Sequence, residues 1–138
     1  MNEFLSQTIG NTLASLPPLT TAVNGFLDRH TVPREAILRV TLAIEEIVAN
    51  IVKYGYDDTG PHTITVNLAL FPDTIRLQVK DDGHPFDPLR MPTPDIHVPL
   101  EQRKVGGLGL HLVREIVSQI AYRRENGANI LEMDIARE

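Results

Sequence analysis

From residue 63 the chain alternates. Ile64, Val66, Leu68 and Leu70 stand between Thr65, Asn67 and Ala69, and after the break at Phe71, Pro72 and Asp73 the residues Ile75, Leu77 and Val79 stand between Arg76, Gln78 and Lys80. Period two marks strands with one buried face, and so short a break makes the two runs a hairpin. One step further, the alternation points Asp81 where Val79 points and turns Asp82 to water, just before Gly83. A carboxylate aimed at the core side needs donors, because an unpaired buried charge is very costly.

Elsewhere the period is helical. Leu19, Val23, Phe26 and Leu27 form the stripe of a helix from about Pro17 to His30, its prolines lying where a missing N–H matters least. A longer helix opens at Thr31 or Val32 ahead of Pro33 and runs to about Tyr54, with Gly55 as its stop. Ile37, Val40, Ile44, Ile47, Val48 and Ile51 share one side of it, and Arg39, Glu46, Asn50 and Lys53 fall on the other. GGLGLHLVREIVSQI starts a third helix, with Leu112, Val113, Ile116, Val117 and Ile120 on one face. AYRRENGANILEMDI reads as a hairpin about Asn126-Gly127. A short strand is expected around Gln7 to Leu13. Between the central hairpin and the third helix, about residues 84–105, lie five of the ten prolines and little periodicity. A loop of that length inside a domain is commonly functional.

This order predicts an α+β fold: a two-layer α/β sandwich with helices on one face of a mixed, mostly antiparallel sheet. The length of 138 residues fits one domain, 1–138, with the loop at 84–105 as a lid. The formal charge of −5 argues against a direct nucleic-acid binder, which usually carries a basic field. With no cysteine there is no disulfide, zinc–thiolate site or cysteine nucleophile. Neither a signal peptide nor a membrane-length apolar run is visible, and a cytoplasmic protein is expected. The five histidines make no metal-type pair on a helix face.

Three places hold candidate chemistry. Glu46 and Asn50 are one helical turn apart; a solvated polar face explains them, and so does a metal-ligating amide beside a general base. Asp81 with Gly83 is either turn chemistry or a buried acceptor for a ligand amino group, with the glycine admitting a flat ring. In KVGGLGLHL, Gly106, Gly107 and Gly109 lie at a helix start, where free N–H groups and the macrodipole favour phosphate, with Arg103 and Lys104 just before them. Close packing explains those glycines equally well. The run is neither a Walker A loop nor a dinucleotide fingerprint.

Taken together, EEIVANIVKYGY, DDG and GGLGLHLV resemble the N-box and the two glycine boxes of the GHKL (Bergerat-fold) ATPase superfamily: histidine-kinase catalytic domains, GyrB-type topoisomerases, Hsp90 and MutL. DDGHPFDP and YRRENGANILEM are most similar to its stand-alone branch of bacterial anti-sigma factors that are also serine kinases. The resemblance spans about residues 8 to 137. It implies ATP and Mg²⁺ as cofactors. Asn50 would hold the Mg²⁺, Glu46 would accept the proton of the attacking serine, and Asp81 would accept the adenine amino hydrogen. Gly83 would line the adenine. Gly107, Leu108, Gly109 and Leu110 would approach the phosphates, with Arg103 or Lys104 offsetting charge on the transferring group. The implied partners are a STAS-domain anti-anti-sigma factor and a sigma factor, with no membrane partner, and a homodimer is allowed. Two departures stand out. Pro85 occupies the second glycine position of the first box, and Asn129 stands near where the family often has a Thr. Of the two functional readings, one is a serine kinase that switches partners; the other is a nucleotide-gated protein that sequesters a partner without phosphoryl transfer.

Overall fold

The computed structural model describes residues 3–87 and 107–138. In chain order they form β1 (Glu3–Gly10), a 3-10 turn (Leu13–Ser15), α1 (Leu16–Arg29), α2 (Arg34–Tyr54), β2 (Thr63–Leu70), β3 (Thr74–Asp81), α3 (Gly107–Ile116), β4 (Gln119–Glu125) and β5 (Ala128–Ala136). The strands make one sheet in the order β1-β2-β3-β5-β4, antiparallel at all four pairings. Most of the expected lid, from residue 88 onward, lies outside the described residues, as do Arg103 and Lys104.

The alternation works as its period requires. Ile64, Val66, Leu68 and Leu70 of β2 are buried, in register with Asp81, Val79, Leu77 and Ile75 of β3. Leu131, Met133 and Ile135 of β5 continue that face. Against it α1 supplies Leu19, Val23, Phe26 and Leu27, and α2 supplies Val40, Ala43, Ile44, Ile47 and Val48. Each large apolar side chain so enclosed contributes about 1.5–3 kcal/mol. The other sheet face is wet and polar: Ser6, Asn67, Gln78 and Glu132 join hands across β1, β2, β3 and β5 through side-chain hydrogen bonds.

Element ends differ from the periodicity in instructive ways. β1 begins at Glu3 and stops at Gly10, earlier than expected, because it pairs along the whole of β2. α2 starts at Arg34, with Pro33 extended in the cap position. α3 ends at Ile116, and Ile120, expected on its apolar face, instead pairs with Met133 inside the sheet. The cause is Ser118: its backbone N–H and its hydroxyl both donate to the Asp134 carbonyl, which seats the chain beside β5. Leu112 is exposed, while Leu110 and Val113 carry the buried contact of α3. Asn126 and Gly127 both have positive φ, at 52° and 78°, as a type I′ hairpin turn demands.

Candidate functional site

Asp81 ends β3 on the buried face, 6% exposed, as the alternation predicts. Its Oδ1 accepts a 2.8 Å hydrogen bond from the Gly83 N–H, so it does shape the turn. The same oxygen also accepts from Asn129 Nδ2 at 3.1 Å, across the β3–β5 register. Burial pushes the Asp81 carboxyl above the usual carboxylate range, against the pull of the bonds from Asn129 and Gly83. Turn chemistry and a buried acceptor are therefore one residue's two jobs.

Beneath it lies a small, largely apolar pocket of about 30 Å³, room for roughly a water or two as the side chains stand. Ile47, Ile51, Val79, Leu110 and Phe86 wall it, and Asn50, Asp81 and Asn129 bring polar atoms to it. The helical wheel sets Asn50 opposite the apolar side of α2, yet its Nδ2 is buried without a hydrogen-bond partner. A buried amide group left unpaired costs on the order of 1–3 kcal/mol and calls for an explanation.

The turn after β3 docks on the end of α2. His84 N–H donates to the Gly55 carbonyl at 2.9 Å, and a side chain at Gly83 would collide with that same carbonyl oxygen. Gly83 is buried but does not line the pocket; its missing side chain makes room for backbone. Pro85 is accommodated on the exposed side of this turn. Gly107, Leu108, Gly109 and Leu110 form the first turn of α3. Leu110 reaches the pocket, and Gly109 sits against the Glu46 carboxylate, where any side chain at 109 would strike Oε2. The helix start expected to meet phosphate and the glutamate expected to act as base are thus neighbours.

Two residues that the sequence left unassigned complete the surroundings. Asn129 is buried and bonded on every polar atom. Tyr56 buries its hydroxyl without a partner and stacks on His62 with ring centroids 4.2 Å apart. Burial, with the charges of Asp81 and Asp82, raises its phenol well above the ordinary value. His62 bridges Asp58 at 2.8 Å and Asp82 at 3.3 Å, and the Asp58 hydrogen bond raises its imidazole pKa. Among the described residues no cluster of three His, Cys, Asp or Glu could hold a metal, and no helix is long and apolar enough to cross a membrane.

A family model described as the histidine kinase-like ATPase domain matches residues 9–135. The chain belongs to that family. Among relatives of this histidine kinase-like ATPase domain, the serine-protein kinase RsbW of Bacillus cereus is 30% identical over 112 residues, covering 78% of this chain and 69% of that protein. The serine/threonine-protein kinase BtrW of Bordetella bronchiseptica is 29% identical over 94 residues, 68% of this chain and 66% of that one. In fold it is similar to the RsbU and RsbW domains of Rv1364c from Mycobacterium tuberculosis, with a TM-score of 0.66 at 20% identity, over 98% of this chain and 32% of that one. A histidine kinase domain from Erythrobacter litoralis EL346 superposes with a TM-score of 0.53 at 17% identity, over 88% of this chain and 59% of that one.

Proposed function

We propose that the chain binds Mg-ATP in this pocket and transfers the γ-phosphoryl group to a serine of a STAS-domain anti-anti-sigma partner, exchanging that partner for a sigma factor as its nucleotide state changes. One observation carries the reading: Asn50 and Asp81, 31 positions apart by subtraction, converge on one pocket, with Glu46 and the N-terminus of α3 at its side. The kinase relatives support the reaction class.

In this reading Asp81 Oδ2, which accepts no hydrogen bond from the described residues, accepts from the adenine amino group. The first-turn N–H groups of α3, free by helix geometry, face the phosphates, where the dipole favours negative charge. Arg103 or Lys104 offsets charge on the transferring group. Asn50 would hold a metal through its side-chain oxygen, since Mg²⁺ is commonly bound through few protein ligands, and its unpartnered Nδ2 is a donor left for the same bound group. When bound, that ion neutralises phosphate charge. Glu46 takes the serine proton as the serine oxygen bonds to the γ-phosphorus, while the bond from that phosphorus to the bridging oxygen breaks and ADP departs with the electron pair. Positioning and charge stabilisation supply most of such catalysis.

Incubating the protein with γ-labelled ATP and its STAS partner is expected to label a partner serine. Glu46→Gln is expected to keep ATP binding and lose roughly 10²-fold or more in transfer. Full-rate transfer by Glu46→Gln would remove Glu46 from its role. Nucleotide-dependent partner capture with no label from the native protein would establish the sequestering alternative.

A further inference from the structure

Beside the pocket, histidines tie two segments together: the loop between α2 and β2, residues 55–62, and the turn after β3, residues 82–84. His62 lies between two carboxylates. Its Nε2 is 2.8 Å from Asp58 Oδ1, and its Nδ1 is 3.3 Å from Asp82 Oδ2. The ring is 19% exposed and stacked on Tyr56 with 16° between the planes, so neither nitrogen turns to another partner. Asn11, just past β1, steadies the backbone here, accepting from the His62 N–H and donating to the Gly60 carbonyl.

The two carboxylates are not held alike. Asp58 belongs to the loop itself, and its Oδ1 also accepts from the Gly60 N–H at 2.8 Å. Asp82 belongs to the turn and meets His62 across the gap between the segments. A neutral imidazole has one N–H and one bare nitrogen, whereas an ionised carboxylate only accepts. Neutral His62 therefore keeps its shorter bond to Asp58 and sets a lone pair against Asp82. Only the imidazolium bonds both. The groups that face it are Asp58 and Tyr56 from its own loop, Asp82 from the turn, and the uncharged Asn11. Burial keeps the Tyr56 phenol neutral, and the Asp58 bond raises the His62 pKa. The neighbouring ties need no proton. His84 N–H donates to the Gly55 carbonyl, and His84 Nδ1 meets Asp57 Oδ1 at 3.1 Å, a bond that the neutral Nδ1–H tautomer also makes.

Both segments frame the pocket. Tyr54 and Gly55 line it where the loop begins, and Asp81 and Phe86 line it on either side of the turn. At about 30 Å³ it has no room for a nucleotide, so its rim must move before one enters.

We propose that His62 is a proton-operated clasp on this rim: charged, it ties the α2–β2 loop to the β3 turn and holds the rim shut; neutral, it releases Asp82 and the rim opens more often. The clasp is fully formed below the unfolded histidine value of about 6.5 and is lost as pH rises through the raised folded value. Its effect on nucleotide entry rests on the ATP-binding reading above; the clasp itself does not.

The test follows two rates from pH 6 to pH 9 in the native chain, His62→Gln and Asp82→Asn. One is hydrogen exchange at the Gly83 and His84 amides, corrected for its intrinsic pH dependence; the other is association of a fluorescent ATP analogue with Mg²⁺. In the native chain both are expected to rise about 2–5-fold, the range of an exposed ion pair acting on the open population. His62→Gln has no imidazole to titrate and leaves the charges of Asp81 and Asp82 in place, so both profiles are expected to stay level. In Asp82→Asn the new amide donates to the bare Nδ1, and the profiles again stay level. Asp82 is 59% exposed, so this second variant decides if His62→Gln does not fold. A level native exchange profile, or a native-like rise in either variant, overturns the inference. So does a rise in exchange with level association, since the clasp would then not govern entry. If the native chain binds no analogue at millimolar concentration, the ATP reading falls, and the exchange profiles still decide the clasp.

Discussion

Glu46 and Gly109 are in contact across the α2–α3 interface: the carboxylate of one fills the space where the other lacks a side chain. Gly109→Ala must therefore push the Glu46 carboxylate aside. The displaced atoms are the far end of a flexible side chain, so the expected loss of stability is under about 1 kcal/mol. Phosphoryl transfer is expected to fall about tenfold or more, mostly in kcat, because a misplaced base costs rate at once. Steady-state kinetics with thermal melts checks both halves. An unchanged kcat would mean that the carboxylate finds its working position elsewhere.

Asp81→Asn is expected to stabilise the nucleotide-free protein. Burial raises the Asp81 pKa in the folded state. The contribution of this group is therefore most favourable below the unfolded value of about 3.9 and is lost as pH rises through the folded value. At neutral pH the folded protein carries the penalty of a buried charge. A neutral amide that still accepts from Gly83 and Asn129 removes it, with an expected gain of about 1 kcal/mol, a few degrees in Tm. Denaturant melts of both proteins from acid to neutral pH should show the gap widening with pH.

Glycines 83 and 127 separate two reasons for having no side chain. At 83 a methyl group meets the Gly55 backbone carbonyl, which cannot move without breaking the dock between the β3 turn and α2. At 127 the space is open and only the φ of 78° objects. Gly83→Ala is expected to cost about 2–4 kcal/mol, and Gly127→Ala about 1 kcal/mol. Chemical denaturation of the two variants measures the difference.

Much of this was legible in the chain because the relevant periods are local. The alternation from Thr63 to Asp81 fixes which way Asp81 points, and the Asn126-Gly127 pair announces its turn. Asn129 was placed near Asp81 by the resemblance alone, and no local period pairs the two. The two meet only because β5 pairs with β3 in one register out of several, across an interval of 48 positions. Asn50 kept two readings, a solvated face or a site residue, for a related reason. A helical wheel sorts side chains against one apolar layer, whereas α2 is covered by the sheet on one side and by α3 on another. An amide on the polar side of the wheel thus has its Nδ2 buried and unpartnered. The end of α3 escaped because Val117, Ser118 and Ile120 suit helix and strand alike, and a bond to the distant Asp134 carbonyl decides between them.

The most direct measurement is isothermal titration of Mg-ATP into the native protein and into Asp81→Asn. The pocket under Asp81 predicts saturable binding by the native chain and a loss of at least about 50-fold in the variant, because the amide offers the adenine amino group no charged acceptor. Native-like affinity in a folded Asp81→Asn protein, or no binding by the native protein at millimolar Mg-ATP, would contradict it.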